Sequence, residues 1–147
     1  MKVLPSGRVV FWLCLAASFL VVGCGPPEPP KYKATGKILL NGQPLTLSAQ
    51  GPPGGSSVKI QFLPDVGDPA KLVDPKESTY DAATGKFTVV GLDGKGLEAG
   101  KYRVAVYLFD PYPTDKLGGK FSAPITPIKV QVQGAEDLAP IELSQFK

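Results

Sequence analysis

The sequence predicts an all-β fold, a seven-stranded antiparallel β-sandwich standing behind an exported N-terminal segment. Three observations predict it. From Ala34 onward, short runs alternate apolar and polar residues with period two. Turn residues separate the runs, in a chain holding 17 Gly and 16 Pro. No window after Cys24 carries the i, i+3, i+4, i+7 apolar spacing of an amphipathic helix.

The strands are read in order. Gly36, Ile38 and Leu40 alternate with Lys37 and Leu39 until Asn41-Gly42 breaks the run. Asn-Gly is the strongest short hairpin signal, because both residues accept positive φ. Pro44-Leu45 restarts the chain. Val58, Ile60 and Phe62 share one face, Lys59 and Gln61 the other, and Pro64 ends that strand. Leu72 to Tyr80 holds a poorly patterned strand. Phe87 and Val89 point inward on the next, entered through the Thr84-Gly85 turn. The longest run is Lys101 to Phe109. Tyr102, Val104, Val106 and Leu108 form its inner face, and Arg103, Ala105, Tyr107 and Phe109 its outer face. Ile128, Val130 and Val132 pattern a further strand, and Ile141 and Leu143 a short last one. Such strands bury one side of a sheet and wet the other.

The N-terminus reads as an address. Lys2 and Arg8 precede an apolar run from Val9 to Val22, and Gly23-Cys24 closes it. A basic start, a short apolar stretch and small residues before a cleavage point make a secretory signal. The cysteine directly after the small residue makes the segment resemble a bacterial lipoprotein signal, which implies acylation of Cys24. An ordinary cleaved signal and an uncleaved anchor are the alternatives. A spanning helix needs about 20 apolar residues, more than this run supplies. Gly25-Pro26-Pro27-Glu28-Pro29-Pro30 then reads as an extended spacer. The expected division is a signal over 1–23, a tether over 24–33 and the β-sandwich over 34–147. By the same resemblance, Gly25, where an Asp retains lipoproteins in the inner membrane, favours the outer membrane of the cell envelope.

Composition removes several function classes. Lys2 and Arg8 are the only basic residues ahead of Cys24, which leaves 14 of the 16 against 13 acidic residues. This near-neutral balance has no basic cluster for nucleic acid. The chain has no histidine. That removes Ser-His-Asp sites, histidine general bases and nearly all catalytic zinc sites. Cys14 leaves with the signal and Cys24 is taken by lipid, so no disulfide is expected.

Several segments together carry a family resemblance. They are Ala34-Thr35-Gly36-Lys37-Ile38 with Asn41-Gly42-Gln43-Pro44-Leu45, then Val58 to Pro64, and Ala83-Thr84-Gly85-Lys86-Phe87-Thr88-Val89. Leu97-Glu98-Ala99-Gly100-Lys101-Tyr102-Arg103-Val104-Ala105-Val106 follows. Their order resembles the carboxypeptidase regulatory-like, or transthyretin-like (prealbumin-like), domain. The tail from Phe121 to Leu143 is similar to that of small planctomycete lipoproteins carrying such a domain. Ala99 stands where that family usually has Pro, and Ala83-Thr84 replaces its usual acidic pair. The resemblance implies a Greek-key sandwich with no catalytic residue and no cofactor. The related hydroxyisourate hydrolases depend on histidines, which this chain lacks.

Two groups are candidate sites. Tyr107, Phe109 and Tyr112 end the longest strand, and exposed aromatics are enriched at interfaces. The three form a ligand or partner surface or, as favoured, Tyr107 and Phe109 pack as a satellite cluster under the connection from Asp110 to Thr126. Asp65, Asp68 and Asp74 lie in an acidic segment with Glu77 and Asp81. Calcium takes six to eight oxygen ligands. The spacing matches no calcium loop and Lys71 and Lys76 interleave, so a solvated loop is favoured over a cation site. Asp93-Gly94-Lys95-Gly96 reads as a plain turn, and Tyr102 as a tyrosine-corner hydrogen bond. The functional expectation is a lipid-anchored, non-enzymatic structural or interaction module, held to the membrane through Cys24 and meeting an envelope protein or glycan. The alternative is binding of a small carbohydrate or calcium by strand-end loops.

Overall fold

The computed structural model describes residues 27–48, 55–68 and 74–146. The signal segment, Cys24 and the start of the tether lie outside the described residues. The fold is all-β. Its strands are β1 (Lys31–Tyr32), β2 (Thr35–Leu40), β3 (Gln43–Pro44), β4 (Ser57–Pro64), β5 (Lys76–Asp81), β6 (Lys86–Val89), β7 (Leu97–Glu98), β8 (Gly100–Phe109), β9 (Lys129–Val132) and β10 (Ile141–Glu142). A 3-10 turn, Leu143–Gln145, follows β10, and no α-helix occurs among the described residues.

Seven strands lie on one hydrogen-bonded path in the order β10-β2-β6-β5-β4-β8-β9, and β3 folds back onto β2. Its longest pairing joins β4 to β8, from Ser57 opposite Phe109 to Pro64 opposite Tyr102. Inner-face residues from both ends and the middle of the path, Val132, Ile141 and Phe62 among them, join one buried cluster. The sheet therefore curls around a single core. The period-two reading holds here. Ile38, Ile60, Phe62, Phe87, Val89, Val104 and Val106 are all fully buried.

Three features depart from expectation. First, β10 runs parallel to β2, with Ile141 opposite Ile38. The segment leading into it already bridges Thr35 through Asp137 in the parallel sense. Second, Lys31–Tyr32, which reads as spacer, is a strand paired with Leu97–Glu98. Third, β8 is buried on both faces, since Arg103 and Ala105 are as buried as their inward neighbours. The connection after β8 causes this. It extends the second edge of β8, where Val104 N–H donates to Ile128 O (3.0 Å), Val106 to Phe121 O (3.0 Å) and Lys116 to Leu108 O (2.8 Å). On the outer face, Arg103 Nη1 donates to Ala123 O at 3.0 Å. An edge that would otherwise invite pairing with another chain is thus covered.

Two carboxylates fasten the turns. Asp115 accepts from Leu108 N (3.0 Å), Leu117 N (3.0 Å) and Gly119 N (2.9 Å), which fixes the start of the long connection. Glu142 accepts from Asn41 N (2.9 Å), Gly42 N (2.8 Å), Ser144 N (3.1 Å) and Ser144 Oγ (2.6 Å). It ties the Asn41-Gly42 hairpin, whose φ values of 53° and 76° are those the turn requires, to the end of the chain. The Ser144 hydroxyl and the backbone amides around it lower the Glu142 pKa from 4.5 to about 2.

A depressed folded-state pKa has a defined consequence. The ionised carboxylate stabilises the fold at pH values above its unfolded pKa, and that contribution is lost as pH falls through the folded value. Thermal unfolding of the wild type and of Glu142→Gln should therefore differ at neutral pH and converge as the pH approaches about 2. A constant gap across that window would show that the carboxylate charge is not the source.

Candidate functional site

The domain has two distinct ends, separated by the length of β8. That strand has ten residues, so the ends lie roughly 30 Å apart at about 3.3 Å per residue. The chain enters at one end, and the candidate aromatic residues stand at the other.

At the entry end, Lys31 is held between two carboxylates. Its ammonium lies 2.6 Å from Glu28 and 2.7 Å from Asp93, and its side chain is 18% exposed. The hydrogen bonds to Asp93 and then to Glu28 raise the Lys31 pKa. The bond from Lys31, followed by that from Lys95 N–H, pulls Asp93 down to about 2. Lys95 also lies 3.5 Å from Glu28. The Asp93-to-Gly96 segment is the turn expected, but it is also the dock for β1. Gly96 sits at φ +101°, and a Cβ there would fall 2.0 Å from Tyr32 O. Close approach of the two backbones therefore requires glycine. A shallow cleft of about 260 Å³ joins Lys31 to Pro64, Asp74, Glu98 and Tyr102. The Tyr102 hydroxyl donates to Glu98 O at 2.8 Å, the tyrosine-corner bond read from the sequence. Burial raises its pKa.

At the far end, Tyr107, Phe109 and Tyr112 come together as expected from their spacing. Tyr107 and Phe109 lie 5.7 Å apart with nearly parallel rings, and Tyr112 meets Phe109 edge-on at 5.4 Å. The first two are half-buried, and Tyr112 is 67% exposed. Tyr107 is partly a structural residue, because its hydroxyl accepts from Ala123 N at 2.9 Å. Asp110, not singled out from the sequence, organises the surroundings. It accepts from Ser48 Oγ (2.5 Å), Ser48 N (3.1 Å) and Ser56 Oγ (2.6 Å). These bonds, those from Ser48 foremost, lower its pKa. It clips together the two chain segments that flank residues 49–54, beside the aromatic rings. The position of Asp110, in a loop directly after a long strand, was the only sequence signal for this role.

The acidic candidates do not assemble. Asp65 accepts from Lys129 at 3.1 Å, and this bond lowers its pKa. Asp68 and Asp74 are exposed. Among the described residues, no group of three or more His, Cys, Asp or Glu is placed to hold a metal ion.

No family model and no curated protein matches the chain. Among solved structures, a DUF3823 family protein from Parabacteroides merdae ATCC 43184 is similar at a TM-score of 0.43 and 20% identity. The match covers 76% of this chain and 45% of that one, so this chain spans less than half the length of its neighbour. A likeness of that size carries no inference about activity.

Proposed function

We propose that this protein is a lipid-anchored, non-enzymatic β-sandwich module of the cell envelope, of the transthyretin-like type, that presents a partner-binding end away from its membrane. The observation that carries this reading is the separation of the two ends. The tether joins the body at β1, against the Asp93-to-Gly96 turn. The exposed Tyr112 and its neighbouring rings stand at the opposite end of β8. A module fixed to a membrane through one end has the other free to meet a partner.

The sequence before the fold supports the anchor. Val21-Val22-Gly23-Cys24 ends the apolar run, and the Pro-rich spacer follows it at once. A single acyl chain binds a bilayer marginally, and two or more hold stably, at about 0.8 kcal/mol per buried CH₂. The absence of histidine from the chain supports a role without histidine-based acid-base chemistry or catalytic zinc. The outer membrane is the proposed location. A protein or a glycan of the envelope is the proposed partner, since aromatic rings serve both. Binding of a small carbohydrate is the second reading, favoured by the exposed Tyr112 ring.

The test is Cys24→Ser. The wild type should sediment with membranes and take up radiolabelled fatty acid. The variant should lose both and keep its fold. Unchanged fractionation and unchanged labelling would sink the anchor.

A further inference from the structure

We infer that the entry end of the domain is a membrane-contact face, with Leu92 and Val66 seated in the interfacial layer of the bilayer that holds Cys24. This rests on the lipid anchor proposed above and goes beyond it, because an anchor alone fixes no orientation.

Four observations converge on that face. Leu92 is 78% exposed and Val66 49%, and both are aliphatic residues on turns. Leu92 lies in the loop that Gly96 N–H closes onto Val90 O at 3.0 Å. Val66 follows Asp65, whose N–H donates to Lys101 O at the start of β8. Both turns therefore stand at the end where β1 docks. Second, the tether ends on the Leu92 turn itself, through the Lys31–Asp93 pair at 2.7 Å. Third, only residues 25–30 separate Cys24 from the clamped Lys31. The seven residue steps from Cys24 to Lys31 span at most about 25 Å, at no more than about 3.6 Å per residue. The turn is therefore held close to the surface in which the lipid is buried. Fourth, the exposed lysines around it, Lys33, Lys95 and Lys101, have long apolar stems that can lie along the interface with their charges in water.

Charge at this end is mixed. Glu28, Asp65, Asp93 and Glu98 interleave with the lysines, and several are paired with them. The contact is therefore apolar, and it should not depend on anionic lipid. The occupant is the bilayer itself, because the length of the spacer leaves this end no other neighbour at a fixed distance.

A chain that begins at Cys24 is well suited to a test, since the sequence's one tryptophan, Trp12, precedes Cys24 and leaves with the signal. Single reporters are introduced as Leu92→Trp, Val66→Trp and Tyr112→Trp in the processed lipoprotein that begins at Cys24. Each is reconstituted into phosphatidylethanolamine–phosphatidylglycerol vesicles containing doxyl-labelled lipid. Emission from Leu92→Trp and Val66→Trp should shift to the blue and be quenched by the doxyl lipid. Emission from Tyr112→Trp should stay unquenched. Halving the phosphatidylglycerol should change neither result. Equal, absent quenching at all three positions in protein that floats with the vesicles would overturn the contact face and leave the anchor standing. Protection of Leu92→Trp from both doxyl lipid and aqueous iodide would mean that a second copy or another protein covers the face, and would also overturn it. Failure to float would remove the anchor, and this inference with it.

Discussion

Replacing Phe62 by alanine is expected to lower the unfolding free energy by about 3–5 kcal/mol, the range for truncating a buried phenylalanine. The ring is fully buried at the centre of β4. It lies 5.6 Å from Phe87 and 6.3 Å from Tyr102, the latter edge-on. Aromatic pairs of this kind add about 0.5–1.5 kcal/mol beyond the area they bury. Phe87 is itself closely packed. A Cβ placed on Gly36 would already fall 2.7 Å from Phe87 Cζ, so that ring is wedged against the β2 backbone. A domain of this kind is stable by only about 5–15 kcal/mol, so the variant stands near the limit of folding. Denaturant unfolding of the purified protein measures the loss as a shift in midpoint. Leu92→Ala is the control, since a substitution at an exposed site usually costs within about 0.5 kcal/mol. A loss at Phe62 no larger than at Leu92 would place the core elsewhere.

The second large effect is local. Gly96→Ala should detach β1 from the body. The added Cβ would meet Tyr32 O at 2.0 Å and Tyr32 C at 2.5 Å, and both are backbone atoms. The φ of +101° is strained for any L side chain as well. Strain of that kind costs about 1–3 kcal/mol where the structure retains it. Here the two-residue pairing with Leu97–Glu98 is the weaker party, so it should open instead. The Lys31–Asp93 pair then separates. Limited trypsin digestion reads this out, because Lys31 and Lys33 become substrates. Cleavage there should be much faster in Gly96→Ala than in the wild type, while the unfolding midpoint moves little. Gly94→Ala is the matched comparison. Gly94 also has positive φ, at +71°, but nothing lies within 4 Å of its Cβ position. Equal protection of all three proteins would contradict the docking of β1.

These two sites show what was legible in the sequence. Phe62 was legible because β4 and β8 are long enough to display the period-two pattern. Alternation points Ile60, Phe62, Val104 and Val106 inward, and all four are buried. Asn41-Gly42 announced its hairpin because few other residue pairs take two positive φ values. Tyr107 and Phe109 were legible as neighbours, since alternate residues of a strand share a face. The docking of β1 was not legible. A two-residue strand carries no period, and its partner lies across the chain at Leu97–Glu98. In the sequence Gly96 is one more turn glycine, and only the fold brings Tyr32 O against it.

The burial of the outer face of β8 at Arg103 and Ala105 is hidden from the sequence for a similar reason. Arg103 and Ala105 alternate as solvent-facing residues should. Their burial depends on a connection held by the Asp115 carboxylate and by single bonds such as Arg103 to Ala123 O. Long-range bonds of this sort leave no local trace. The parallel sense of β10 is equally silent, since alternation is blind to strand direction. At the candidate sites, composition identified acidic residues but not their partners. Asp65 meets Lys129, and Asp93 meets Lys31. Asp110 joins Ser48 to Ser56 across more than 50 residues of sequence, so its role leaves no local pattern either.

Everything proposed about placement and orientation depends on the chemical form of the N-terminus. Intact-mass spectrometry of protein extracted from native membranes measures it directly. The predicted result is a polypeptide that begins at Cys24, heavier than residues 24–147 by the mass of its acyl groups. A full-length chain from Met1 carrying no modification would contradict it.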